Sequence, residues 1–183
     1  YDLRVSAISR ASQHLLENIG VWSTIVADRA TPYSHMHVWD RPGLGEIHFD
    51  AADLAEPNLG FIIENRVIVR ALWQALQVVD GVTLFAPAAV AHQEASTGLR
   101  RAVLDSGDQL QVGLCVGADG ARSRLRESAG ITVKARDYDH HALVATVAAE
   151  RGNQSTAWQR FMRSGPLALL PMSDRRCAVV WTV

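Results

Sequence analysis

Apolar residues recur at helical spacing in two stretches of the chain. The first predicted helix follows Ser9, a suitable N-cap, and ends at Gly20. The second has Asn65 as its N-cap, runs to about Val79 and is followed by Gly81 as a terminator. The apolar stripes comprise Leu15, Leu16 and Ile19 in the first helix and Val67, Ile68, Ala71, Leu72, Ala75, Leu76 and Val79 in the second.

Period-two alternation and short apolar runs predict several strands. One hairpin is expected over residues 36–50, with its turn at Asp40-Arg41-Pro42-Gly43, and another joins residues 99–104 to 109–116. Residues 82–85 are typical of a buried strand after the second helix. Further strands are predicted at 142–147, 167–170 and 177–183, and short helices at 123–129 and 156–162. Helix-strand units thus alternate with antiparallel hairpins, which predicts an α/β fold whose two layers or domains interleave.

Composition and charge narrow the classes of function. The chain has 183 residues, 48% of them hydrophobic, and a net charge of −1, which gives no argument for nucleic acid binding. The longest apolar runs fall far short of the roughly 20 residues that span a bilayer, so no transmembrane segment is predicted. Cys115 and Cys177 lie far apart without a CxxC motif, which fits a reducing cytoplasm and indicates no metal site.

The most informative stretch is residues 114–126, where an apolar run leads into Gly117, Asp119 and Gly120 and then a short helix. Glycines allow a tight turn or a close ligand approach, and free amides at a helix start attract anions. Asp119 can accept a hydrogen bond from a ribose hydroxyl, and Arg126 can pair with a phosphate. The alternative is a capped strand-to-helix turn with a structural aspartate, and both interpretations stay open.

These residues carry a resemblance to a known family. Gly117-Ala118-Asp119-Gly120, with Ser123 and Arg126 at the expected offsets, resembles the Asp-Gly fingerprint of the single-component flavoprotein aromatic hydroxylases. Segments 2–22 and 64–72 are also similar to that family. The resemblance implies that Arg4 and Arg66 face FAD, and that Gly117, Asp119, Gly120 and Arg126 lie near its pyrophosphate and serve the nicotinamide donor.

Four further segments resemble the polyprenylphenol hydroxylases of ubiquinone biosynthesis: residues 32–40, 59–65, 137–146 and 165–174. The resemblance implies a partial, Rossmann-like FAD-binding domain (1–30 and 64–131) interleaved with an antiparallel β-sheet substrate domain (31–63 and 132–183). It also implies hydroxylation of a polyprenylphenol ring with FAD, NAD(P)H and oxygen. The flavin does the bond-making in such enzymes, so no acid-base constellation is expected and the catalytic residues stay unknown.

Two flavin-binding segments of that family are missing from the sequence. No GxGxxG motif occurs, and the nearest pattern, Gly43-Leu44-Gly45, lies in a predicted hairpin. The later Gly-Asp segment is missing too. We therefore expect an internal part of a longer enzyme that binds FAD weakly or not at all by itself and is inactive alone.

Two other functions remain open: a related flavin hydroxylase of a soluble aromatic substrate, and a non-catalytic lipid- or partner-binding module of a biosynthetic complex. The resemblance is compatible with a cytoplasmic protein that associates peripherally with the inner membrane. It is also compatible with membership of a ubiquinone-biosynthesis complex. Among the histidines, His35 and His37 are interpreted as surface residues, and His140-His141 as pocket candidates that cannot easily share one metal ion. We predict no metal site.

Overall fold

The computed structural model describes residues 1–40, 43, 45–96 and 98–183. These residues form two compact units: Tyr1–Val82 with Asp139–Val183, and Thr83–Tyr138. The first unit combines strands with three α-helices, and the second combines strands with one. The predicted α/β class is confirmed. Part of the predicted turn 40–43 and of the Gly43-Leu44-Gly45 pattern lies outside the described residues. The interleaved FAD-binding and substrate domains stay a prediction.

The described part of the chain contains twelve strands and four α-helices. The strands are β1 (Val5–Ser9), β2 (Thr31–Tyr33), β3 (His35–Asp40), β4 (Glu46–Asp50), β5 (Gly60–Glu64), β6 (Val90–Ser96), β7 (Leu99–Leu104), β8 (Gln109–Val112), β9 (Ala142–Ala148), β10 (Thr156–Met162), β11 (Gly165–Pro171) and β12 (Arg176–Thr182). The helices are α1 (Arg10–Asn18), α2 (Trp22–Asp28), α3 (Asn65–Leu76) and α4 (Arg124–Ser128), and a 3-10 turn spans Ala51–Leu54.

A small antiparallel sheet and three helices form the main core of the first unit. The strand order is β1-β5-β2, and α1, α2 and α3 bury their apolar sides together. Ser9 caps α1 as predicted, because its side chain accepts a hydrogen bond from the Ser12 amide. The core residues are Leu16, Val21, Ile25, Ile63, Val67 and Ala71.

The ends and faces of the predicted helices needed correction. Of the apolar stripe in α1 only Leu16 is buried, whereas Leu15 and Ile19 are exposed. Helix α3 contains Asn65 as its first residue, and the extended residue before it, Glu64, is the N-cap. The Glu64 side chain makes no capping bond since it pairs with arginines instead. The helix ends at Leu76, short of the predicted Val79.

The first unit also contains a six-stranded sheet in the order β4-β3-β10-β11-β12-β9. Neighbouring strands are antiparallel except for the parallel pair of β3 and β10. The prediction of a helix over residues 156–162 was wrong, because this segment is the strand β10. It forms hydrogen-bonded ladders with β3 on one side and β11 on the other, and this tertiary pairing overrides local helix propensity.

The second unit holds the antiparallel sheet β6-β7-β8 and the helix α4. The predicted strand at 82–85 was wrong, since these described residues form no strand and Val82, Leu84 and Phe85 are exposed. The hairpin of β7 and β8 is confirmed, but β8 ends at Val112. The apolar run after it is not a strand either, with Leu114 79% and Val116 75% exposed.

Candidate cofactor site

The Asp-Gly turn of the second unit is built around the start of α4. Ser123 is the N-cap of this helix, and its hydroxyl accepts a hydrogen bond from the Arg126 amide at 3.0 Å. Gly120 has a φ of +81°, which favours glycine because a side chain is strained there. A Cβ at Gly117 would lie 2.9 Å from Cδ2 of Leu125. Glycine at both positions therefore lets the turn close against α4.

Asp119 serves the backbone of this turn. Its Oδ2 accepts hydrogen bonds from the Arg124 amide at 2.8 Å and the Leu125 amide at 3.4 Å. Hydrogen bonding from the Ser123 hydroxyl, with these amides adding to it, lowers the pKa of Asp119 below its usual value. Asp119 is therefore an exposed, ionised carboxylate whose first role is to order the turn.

Arg126 lies on the inner side of the same turn. Its guanidinium donates a hydrogen bond to the Ala121 carbonyl at 2.9 Å. The Nε of Arg126 is shielded from water and has no hydrogen-bond partner in the described part of the chain. A buried donor without a partner is costly, so this nitrogen is suited to an acceptor supplied from outside the chain.

Two clefts of about 360 and 430 Å³ border this turn within the second unit. Cys115, Gly117 and Leu125 line both clefts. Arg126 lines the first, while Asp119, Arg122 and Arg124 line the second. The clefts thus combine cationic side chains with apolar walls.

The other two predicted site residues lie together in the first unit. The Asn65 amide donates to the Arg4 carbonyl at 2.9 Å, which places Arg4 and Arg66 at the same end of the β1/β5 ladder. Arg66 is held by a hydrogen bond of 2.9 Å from its Nε to Oε2 of Glu64. Arg4 is exposed.

Glu64 is the electrostatic centre of that region. It is only 2% exposed, and it accepts hydrogen bonds from the Asp2 amide and from Arg66, with Nε of Arg29 at 2.9 Å from its Oε1. Burial raises the pKa of Glu64, but Arg66, the Asp2 amide and Arg29 outweigh it and leave the pKa below its usual value. The sequence interpretation missed this residue, because Asp2 and Arg29, which contact it, are distant from it in sequence.

A second missed group lies on the edge of the six-stranded sheet. His37, Glu46 and His48 converge there, although His37 was interpreted as a plain surface residue. Hydrogen bonding to His48 is the main cause that lowers the pKa of Glu46. His140 and His141 precede β9 and are both exposed. The pairing of β3 with β4, not the spacing in sequence, brings His37, Glu46 and His48 together.

Comparison with known proteins decides the family. Residues 2–183 match the family of the FAD binding domain. The chain belongs to the FAD binding domain family. Its membership supports FAD as the cofactor. None of the helices in the described part of the chain is long and apolar enough to cross a membrane.

Relatives in this FAD binding domain family include three with informative names. The chain is 38% identical over 180 residues to the 3-demethoxyubiquinol 3-hydroxylase of Escherichia coli, covering 98% of this chain and 46% of that protein. It is 37% identical to the ubiquinone hydroxylase UbiL of Rhodospirillum rubrum, over 100% of this chain and 42% of UbiL. It is 38% identical to the human ubiquinone biosynthesis monooxygenase COQ6, over 100% of this chain and 41% of COQ6. The chain thus spans less than half the length of these relatives.

Solved structures show the same fold. PqsL of Pseudomonas aeruginosa in complex with 2-aminobenzoylacetate has a TM-score of 0.81 at 18% identity, covering 98% of this chain and 50% of PqsL. HpxO of Klebsiella pneumoniae, complexed with FAD and uric acid, has a TM-score of 0.76 at 17% identity, covering 98% of this chain and 46% of HpxO. The family and the fold therefore agree with the resemblance found in the sequence.

Proposed function

We propose that this chain is part of an FAD-dependent monooxygenase that hydroxylates the aromatic ring of a polyprenylphenol in ubiquinone biosynthesis, using NAD(P)H and oxygen. The observation that carries the proposal is the match to the FAD binding domain family, together with relatives named as ubiquinone hydroxylases. We also propose that the protein associates peripherally with the inner membrane, because the polyprenyl tail of its proposed substrate dissolves in lipid.

The residues at the Asp-Gly turn fit a flavin dinucleotide. The unpartnered Nε of Arg126 needs an acceptor, and Arg122 and Arg124 add positive charge along the neighbouring cleft. We assign Gly117, Asp119, Gly120 and Arg126 to the pyrophosphate side of FAD, and Arg4 and Arg66 to a second contact region. Bound FAD would supply the redox chemistry with oxygen, while the protein binds, orients and shields it.

The proposed division into domains draws support from strand pairing. The substrate domain is assigned to residues 31–63 and 132–183, and the six-stranded sheet takes all its strands from these two stretches. Strands β3 and β4 come from the first stretch, and β9 to β12 come from the second. The FAD-binding domain would then comprise residues 1–30 and 64–131.

Flavin titration and turnover of the protein at its full natural length test the proposal. FAD binding is followed by absorbance and fluorescence, and product formation by mass spectrometry with isotopically heavy oxygen and a prenylated phenol. Hydroxylation of the prenylated phenol supports the proposal. Turnover of only an unprenylated, water-soluble phenol, or the lack of any flavin binding, would replace it with one of the two other functions.

A substitution in α3 sharpens this test. We expect Arg66→Gln to weaken FAD binding about tenfold or more, since a charge-assisted contact is lost. The matched control is Arg70→Gln on the same helix, whose guanidinium pairs with Asp28 instead. Equal FAD affinity in both variants would contradict the role assigned to Arg66, while leaving the family membership untouched.

A further inference from the structure

Three side chains with metal-binding atoms meet on one face of the hairpin of β3 and β4. His37 lies directly opposite His48 in the antiparallel register, and Glu46 is two residues before His48 on the same strand. Residues two apart share a face of a strand, and directly opposite residues have neighbouring Cβ atoms. The three side chains are therefore held on one surface by backbone pairing.

The distances within this group suit a small cation. The candidate ligand atoms all lie within 4.8 Å of one another, and Nε2 of His37 is 3.3 Å from Oε1 of Glu46. Nε2 of His48 contacts the same Oε1, and the two imidazole centroids are 3.9 Å apart. Ligands bonded to a tetrahedral Zn²⁺ at 2.0–2.1 Å lie about 3.3 Å from each other, so small rotations would complete the site.

His37 is the least exposed member, and its surroundings fix its ring. The ring packs against Trp39 at 4.9 Å and Trp158 at 5.3 Å between centroids. Its Nε2 is shielded from water and forms no hydrogen bond of good geometry with the described residues. A fixed imidazole with an unsatisfied nitrogen, facing an exposed carboxylate and a second imidazole, is arranged like a ligand rather than like a solvated surface residue.

We propose that His37, Glu46 and His48 bind one divalent transition-metal ion, with Zn²⁺ preferred and a water molecule as the remaining ligand. Two imidazoles and one carboxylate form a ligand set that Zn²⁺ and its neighbours in the first transition series accept readily. The site lies outside the assigned flavin contacts. Its ligands join β4, the edge strand of the six-stranded sheet, to β3 and so restrain that edge.

Metal titration of the purified protein tests the site. After treatment with a chelator, Zn²⁺ is added in a calorimeter, and Co²⁺ is added to record its visible absorption and quenching of tryptophan fluorescence. We expect one ion per chain. We also expect His48→Ala and Glu46→Gln each to weaken binding at least tenfold, because each removes one of three protein ligands. Both side chains are more than half exposed, so neither change threatens the fold.

The matched control is His92→Ala. His92 and Glu94 also lie two apart on one strand, with Nε2 and Oε1 3.5 Å apart, but belong to the other compact unit. We expect this variant to bind Zn²⁺ like the parent and to gain the same rise in melting temperature with the ion. If the protein binds no ion, or if all three variants bind equally, the proposal is overturned and Glu46 only bridges two imidazoles.

Discussion

Asp119 and Glu64 are both kept ionised, but by opposite means. Asp119 is exposed, and hydroxyl and amide hydrogen bonds lower its pKa. Glu64 is buried, and two arginines and one amide must overcome the cost of that burial. Asp119 therefore orders a local turn, whereas Glu64 joins three separate segments of the first unit.

The largest effect is expected from Glu64→Ala. It leaves Arg29 and Arg66 without their shared carboxylate and opens a gap beside a buried strand end. Removing one partner of a fully buried ion pair costs about 3–5 kcal/mol, and because both arginines reach water we expect a smaller loss of about 2 kcal/mol. Urea unfolding measures it. The control is Glu56→Ala, which removes the more exposed partner of Arg10 and should cost about 0.5 kcal/mol or less. Equal losses of stability in Glu64→Ala and Glu56→Ala would contradict the larger contribution expected from Glu64.

The pH dependence of stability should sharpen the same contrast. The pKa of Glu64 is lowered on folding, so the unfolded chain binds more protons at acidic pH. The stability it contributes is present above its unfolded pKa, near 4.5, and is lost as the pH falls through the lower, folded value. We expect the free energy of unfolding to fall less steeply on acidification in Glu64→Gln than in the parent, by urea titrations across that range. Parallel profiles would show that Glu64 does not set this dependence.

The smallest effect on stability is expected from Asp119→Ala. The change removes an acceptor for two amides while Ser123 still caps α4, so we expect a smaller loss of stability than in Glu64→Ala. If Asp119 also contacts the cofactor, FAD affinity should fall more than this loss explains. The control is Asp108→Ala, which alters the turn between β7 and β8. A loss of FAD affinity in both variants alike would show that Asp119 is only structural.

Local chemistry explains what the sequence could predict. The caps at Ser9 and Ser123, the helix α3 and the hairpin of β7 and β8 follow from neighbouring residues. Their stabilising contacts are close in sequence, so propensity and periodicity contain the needed information. The Asp-Gly turn is in the same class, and its alternative interpretation as a capped turn is also compatible with the observed contacts.

Distant pairing explains what the sequence could not predict. Residues 156–162 form a strand only because β3 and β11 flank them, and residues 82–85 form none despite their apolar composition. His37 meets His48 through the register of one hairpin, which a shift by one residue would abolish. Glu64 likewise depends on three segments that are distant in sequence.

The parallel pair of β3 and β10 has a consequence for how the chain is made. Its partners, such as His35 and Thr156, are separated by about 120 residues. One edge of β3 therefore has no neighbour until residues 156–162 have been synthesised. During that interval β4 can cover only the other edge, and an open strand edge invites pairing with foreign chains. The sheet that places His37 beside Trp158 can thus close at this edge of β3 only after β10 has been synthesised.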